Sequence, residues 1–378
     1  MVGLIKHLLI KLRSWVRIAK EPKYPLCSNC FQDHGLTLDA IRIGIAKDSA
    51  CPNCGAKTGR KLNRYMIENL AHRFFVWGTI HRAEYGAAPL VQFNQYQSTS
   101  IDVAPWLEPD LQLFEKAIGV GFFYYGPRLW MVGEVEPLLD LQNATTRGPI
   151  IDRIITEYPE VTLTTEQIFY RLRKNLEDPT NFGEYDSPPK TKAGSNRLDS
   201  TSLPVMYGSQ DLHVCVHECR VAAEDDIYVA TLAPSKDLKL LDLTELLEEP
   251  DVTEFESLDM AVHMLFLAGD HSYEIAREIA LAAHSAGYDG FVYPSYFSLL
   301  RTGHMPFETT YGISHRRFST QSEQEKAKII PNLDLFGRPI EQGHVEVRCI
   351  NKLILNRVEY DVHFGPVGHE PLIETLQD

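Results

Sequence analysis

Four cysteines fall into two tight pairs, Cys27-Ser28-Asn29-Cys30 and Cys51-Pro52-Asn53-Cys54, separated by twenty residues. A CxxC turn aims two thiolates at one point, and two such turns at this separation form a four-sulfur tetrahedral site suited to zinc. Cys27, Cys30, Cys51 and Cys54 are therefore expected to hold a structural ion. Four thiolates leave no position for water, so the metal would supply folding free energy, about 10 kcal/mol or more, and no catalysis. Chemistry must come from elsewhere. The second half of the chain offers polar residues at the ends of expected strands: Arg171 and Arg173 in the run Phe169-Tyr170-Arg171-Leu172-Arg173, then Arg197, Tyr207, Glu218 and Ser295. Singly, each has an ordinary reading as surface charge, core tyrosine or solvated helix face.

Beyond residue 165 short β-rich segments at 167–172, 205–207, 227–232 and 290–293 alternate with helical stretches, which predicts an α+β domain. The stretch 175–196 is rich in Pro, Gly, Asp and Lys and reads as a long loop, a kind of segment that is frequently functional. Between 61 and 160 the pattern is mainly helical. There Leu62, Tyr65, Met66, Leu70, Phe74 and Phe75 are expected on one face, a second helix starts near Pro109, and Phe122, Phe123, Tyr124, Tyr125, Trp130 and Met131 read as a buried patch. The predicted organisation is an amphipathic basic helix at 1–21, a zinc ribbon at 22–60, a helical regulatory or interaction domain at 61–160 and a catalytic domain at 165–370.

The 378 residues carry a formal charge of −14, which argues against a general nucleic-acid binder, since such proteins need surplus cations to displace phosphate counterions. The balance is uneven: twelve Lys/Arg and four Asp/Glu precede residue 65. That basic end leaves open an acidic partner or a nucleic acid. At the N-terminus Ile5, Leu8, Leu9, Leu12 and Val16 recur at helical spacing among lysines and arginines, so docking on protein or lying on a membrane surface are both open. No apolar run reaches the roughly 18–20 residues that cross a bilayer. Seven cysteines, an odd number dominated by the two CxxC pairs, point to a reducing, cytoplasmic compartment. The Arg-x(4–6)-His pairs of helical nucleases are absent before residue 165, and RNase chemistry is not expected.

The order and spacing of the second-half residues resemble the RES domain family. Phe169–Arg173 is similar to its opening aromatic-Arg strand, and Asn196-Arg197-Leu198-Asp199 with Pro204-Val205-Met206-Tyr207-Gly208 is similar to its Gly-Arg-x-Asn and Pro-x-x-Tyr segment. Glu218 follows Tyr207 at the expected interval, across a helix. Gly287-Tyr288-Asp289-Gly290-Phe291-Val292-Tyr293-Pro294-Ser295 resembles the family's closing strand and is the most specific of these motifs. The likeness covers roughly 165–370, and the zinc ribbon with the 74–94 region resembles the extension of one RES subgroup. In two places the chain departs, with Asn196 for the family's Gly and Asp199 for its Asn.

The resemblance implies an ADP-ribosyltransferase-like fold that consumes NAD. Arg171 and Arg197 would then grip the diphosphate through planar guanidinium forks. Tyr207 would stack on the cationic nicotinamide. Glu218 would stabilise the oxocarbenium character that develops as the nicotinamide–ribose bond breaks, and Ser295 would bond the ribose or a phosphate. The acceptor sets the reaction: water makes an NAD glycohydrolase, phosphate a phosphorylase, a macromolecule an ADP-ribosyltransferase. The family also implies a bacterial toxin or phage-defence effector with an antitoxin or regulatory partner, and leaves self-association open. From a different class, a zinc-dependent binding protein with an inactive NAD site is the alternative that Asn196 and Asp199 motivate.

Overall fold

The computed structural model describes residues 22–189, 193–194, 196–298, 308–310 and 312–371; the amphipathic helix expected at 1–21 lies outside the described residues. The chain divides into two compact units, one of Met1–His81, Ala88–Pro127 and Glu359–Asp378, the other of Arg82–Ala87 and Arg128–Val358.

In the first unit the strands Leu26–Cys27 and Lys61–Leu62 pair antiparallel and bring the ends of the cysteine segment together. Between them runs the helix His34–Ile43, capped by the Asp33 carboxylate on the Leu36 N–H. A buried Asp110 accepts from the N–H groups of Gln32 and Asp33, tying this segment to the helix Glu108–Ile118 expected near Pro109. The helix Arg64–Ala71 buries Ile67, Leu70 and Ala71, and the chain continues through a π-helical turn that buries Phe74 and Phe75. Tyr65 is exposed, contrary to expectation, because at 100° per residue it lies off the 67, 70, 71, 74 stripe. Between 61 and 160 helices outnumber strands in residues, as expected, but short strands are interleaved with them. Strands Val91–Asn94 and Gly121–Tyr124 pair, as do Ile101–Val103 and His369–Pro371, so residues 369–371 return here and the second unit ends at 358, before the predicted 370.

The second unit begins with helices α1 (Glu136–Gln142) and α2 (Arg147–Glu157) and strand β1 (Glu160–Leu163), all upstream of the predicted boundary near 160–165. They belong here because β1 pairs with a strand of this unit and because the buried Arg147 bonds Glu274 and Glu278 of its long helix. The strands that follow are β2 (Phe169–Lys174), β3 (Val205–Gly208), β4 (Ile227–Pro234), β5 (Leu238–Asp242), β6 (Gly290–Pro294), β7 (Pro331–Phe336) and β8 (Val345–Leu353). Helix α3 (Leu212–Glu218) follows β3, and α4 (Leu258–Leu267) and α5 (Tyr273–Ser285) make the crossover between the parallel strands β5 and β6. Among the described residues one sheet has the order β3-β7-β6-β5-β1 and the other β8-β4-β2. Phe169, Ala230 and Leu232 of the smaller sheet meet Met206, Leu240, Leu333 and Leu335 of the larger in one core. The α+β expectation for this half is met, and the four predicted strands are present with slightly different ends.

Two glycines of the 287–290 run have definite tasks. Gly287 ends α5 with φ +91°, in the left-handed region, and a Cβ on Gly290 would lie 1.8 Å from the Asp334 carbonyl of the adjacent β7. The second glycine therefore allows β6 and β7 to pair closely.

Candidate active site

At their split the two sheets are joined by a bridge in which Tyr170 and Ser209 exchange both backbone hydrogen bonds at 2.8 and 3.0 Å. Beside this split opens a cavity of about 1200 Å³ lined by Arg171, Arg197, Tyr207 and Glu218. Its walls carry seven Arg or Lys and four Asp or Glu side chains, a cationic lining in a chain of charge −14. Such a wall suits an anionic ligand.

Glu218 is the last residue of α3, which starts where the Asp211 carboxylate caps the His213 and Val214 N–H groups. Its Oε1 accepts from the Ser295 hydroxyl at 2.7 Å and from the Asn332 amide at 2.6 Å. No protein donor occupies Oε2 among the described residues. One oxygen is thus locked by two donors while the other is left for a ligand. Ser295, expected to bond a ligand, is 0% exposed, donates to Glu218 and accepts from the Phe297 N–H, so its hydroxyl is engaged in fixing the carboxylate.

Arg171 is corrected in the same way. On β2 it points between the sheets, is 5% exposed, and donates to the carbonyls of Tyr207 at 2.7 Å and Asp186 at 3.1 Å. Burial, with Arg173 beside it, lowers its pKa to about 10, which still leaves it cationic at neutral pH. Its charge reaches the cavity, but its fork holds main chain. Arg197 donates to the carbonyls of Ala268 and Leu265, at the end of α4, and lies over the Tyr273 ring at 5.0 Å. Arg173, two residues along β2 from Arg171, lines the cavity with no protein partner for its guanidinium among the described residues. It is the better placed of the two for a phosphate.

Tyr207 lines the cavity, and its hydroxyl accepts from the Leu198 and Asp199 N–H groups at 2.9 and 3.1 Å. The same loop is organised by Asp199, whose buried carboxylate accepts from the Gly194 and Asn196 N–H groups. An aspartate at this position therefore builds the loop, and Asn196 bonds it through its amide.

Residues 168–312 match the family model of the RES domain. The chain carries a RES domain. Among solved structures, a chain of the M. tuberculosis MbcT–MbcA toxin–antitoxin complex is similar over 55% of this chain and 93% of its own, at 14% identity and a TM-score of 0.32. No curated protein matches. No described helix is long and apolar enough to cross a membrane.

The RES site extends beyond the matched residues. Asn332, which bonds Glu218, and Asp334 sit on β7, where the alternation Asn332-Leu333-Asp334-Leu335 was the available signal. Asp334 is 0% exposed and pairs in register with Tyr207. Burial, reinforced by Glu218, raises its pKa well above the usual carboxylate range, against the opposing effect of Arg197 and Arg171. Cys215 lies on α3 and Cys219 directly follows its last residue, Glu218, but burial pushes Cys215 up to about 12 and Cys219 upward as well, so neither is a nucleophile at neutral pH. A further group of ligand-type side chains, Glu308, His315 and Glu325, holds the Lys328 ammonium between its two carboxylates.

In the other unit, the sulfurs of Cys27, Cys30, Cys51 and Cys54 all lie within 4.8 Å of one another. The separations of 3.9 Å for Cys27–Cys30, 3.6 Å for Cys27–Cys54 and 3.5 Å for Cys30–Cys51 fit a metal-centred tetrahedron, whose edge is about 3.8 Å for metal–sulfur bonds near 2.3 Å. Lys61, fully buried, places its ammonium 3.2–3.3 Å from the carbonyls of Ala56, Lys57, Thr58 and Gly59, which fixes the loop after the second pair.

Proposed function

We propose that the RES unit binds NAD and breaks its nicotinamide–ribose bond, consuming the dinucleotide. The reading rests on Glu218: a carboxylate with one oxygen held by Ser295 and Asn332 and the other open to a cationic cavity. A carboxylate fixed in this way stabilises the positive charge that grows on the ribose as nicotinamide leaves, more in the transition state than in the ground state. Arg173 and Arg197 supply positive charge for the diphosphate, and the Tyr207 ring supplies a face for the nicotinamide. The acceptor is water in the simplest form, giving an NAD glycohydrolase. The cavity volume exceeds the roughly 300–1000 Å³ usual for small-molecule sites, which leaves room for phosphate or a macromolecular acceptor.

Depletion of NAD would arrest a bacterial host, the activity of a toxin or defence effector restrained by an antitoxin or regulatory protein. The first unit is assigned a regulatory or partner-recruiting role, with zinc on Cys27, Cys30, Cys51 and Cys54 as its structural ion. The Asp199 carboxylate, which holds the Gly194 and Asn196 N–H groups beside Arg197, favours an active enzyme over a zinc-dependent binding protein with a dead NAD site. Pure protein incubated with NAD should release nicotinamide, with the acceptor identified by mass spectrometry of the ribosyl product. Glu218→Gln keeps the shape and removes the charge, and should slow release by at least about 100-fold, equal to about 2.7 kcal/mol of transition-state stabilisation. Activity within severalfold of the parent would remove Glu218 from the mechanism.

A further inference from the structure

The compact unit that contains the RES domain also includes a turn from far upstream, Arg82–Ala87. The Ala83 N–H closes it on the Gly86 carbonyl at 3.2 Å. Tyr85 is buried and meets the His271 ring edge-on, with centroids 4.8 Å apart. Gly86 has φ +93°, and a Cβ there would come within 2.1 Å of the Met131 carbonyl. A Cβ on Gly133 would in turn meet the Tyr85 Cβ at 2.6 Å. The turn is therefore fitted against its surroundings at two positions that only glycine satisfies, and its location is fixed.

Seated in this way, Arg82, Ala83 and Glu84 form part of the cavity wall. Arg82 is exposed there, and its guanidinium makes neither an ion pair nor a hydrogen bond among the described residues. Arg82 precedes Tyr85, which packs on His271, by three residues, whereas Glu218 is held by Ser295 and Asn332. If the ribose carbon that reacts lies at Glu218, the anionic part of the dinucleotide extends away from it. An unpartnered guanidinium lining the same cavity from a distant part of the chain matches that part by charge.

We propose that the Arg82–Ala87 turn is a substrate-binding wall, with the Arg82 guanidinium bonding a phosphate of the dinucleotide. The inference rests on the reading that NAD occupies the cavity, and it assigns a binding residue upstream of the matched segment 168–312. The turn makes affinity for substrate depend on chain that the RES domain itself does not contain.

The test is steady-state nicotinamide release by the full chain and by Arg82→Ala, Arg82→Lys and Tyr85→Ala. Loss of one charge-assisted contact should raise KM for NAD about tenfold in Arg82→Ala with kcat within about twofold, and Arg82→Lys should recover part of the loss. Tyr85→Ala, which unseats the turn, should also raise KM; if it does not fold, the exposed Arg82 variants still decide. A KM unchanged within twofold in Arg82→Ala, with the parent active, overturns the wall and leaves the NAD reading standing. A parent that releases no nicotinamide overturns the NAD reading, and the wall with it.

Discussion

Asp334 lies in the middle of a sheet, fully buried, opposite Tyr207, and burial, reinforced by the nearby Glu218, opposes its ionisation. The folded chain therefore retains a proton that the unfolded chain, with an ordinary aspartate value of about 4, releases. Stability from this group is fully present below that value and is lost as pH rises toward the higher folded value. Asp334→Asn removes the dependence. Relative to the parent, the melting temperature of the variant should improve between pH 5 and pH 8 by about 3 °C or more, the shift that about 1 kcal/mol produces in a domain of this size. Calorimetry at the two pH values checks this, and an equal gap at both would show that Asp334 ionises freely. The same neighbourhood explains why single residues were only partly readable in sequence. Glu218 was legible as an acid at the right interval from Tyr207, but Ser295 and Arg171 were expected to touch substrate. Instead each satisfies a partner inside the fold, Glu218 for the serine and main-chain carbonyls for the arginine. Which partner a buried donor finds depends on residues 77 or 36 positions away, and no local pattern encodes that.

At the scale of elements, the paired cysteine turns are the clearest case of sequence fixing geometry, because a two-residue spacer leaves few ways to aim both sulfurs. The protein should carry about one zinc per chain by elemental analysis. Cys51→Ser, or removal by chelator, should cost the first unit its cooperative thermal transition, since about 10 kcal/mol of metal-linked folding energy matches the whole stability of a typical domain. A Cys51→Ser protein that keeps the metal and the transition would refute the assignment. Strand β7 shows the opposite case. Its alternating polar and apolar residues give Glu218 a second donor and place Asp334 beneath the site, yet the segment gained meaning only through its pairing with β3 and β6.

For the molecule as a whole, the boundary of the second unit matters most for experiment. Helices α1 and α2 carry Leu138, Leu141, Ile150, Ile151 and Ile154, all buried in the unit that holds the RES domain. Burying five such side chains stabilises by about 8–15 kcal/mol, as much as a domain's net stability. A chain of residues 128–358 should therefore unfold cooperatively, whereas residues 161–358 should be insoluble or lack near-ultraviolet circular dichroism. Equal melting of the two would place the boundary at 160 after all. Periodicity failed there because α1 and α2 look alike to a propensity reading whichever unit they join, and their allegiance is set by long-range contacts such as Arg147 with Glu274 and Glu278. The sequence alone determined the cysteine site and the α+β character of the second half, because these follow from short spacings and local backbone preferences, while the motif residues were legible only through their resemblance to the RES family. Only the tertiary structure decided which of those residues face the cavity, which hold one another, and that an upstream turn completes the wall, because those outcomes depend on which distant groups meet when the core closes.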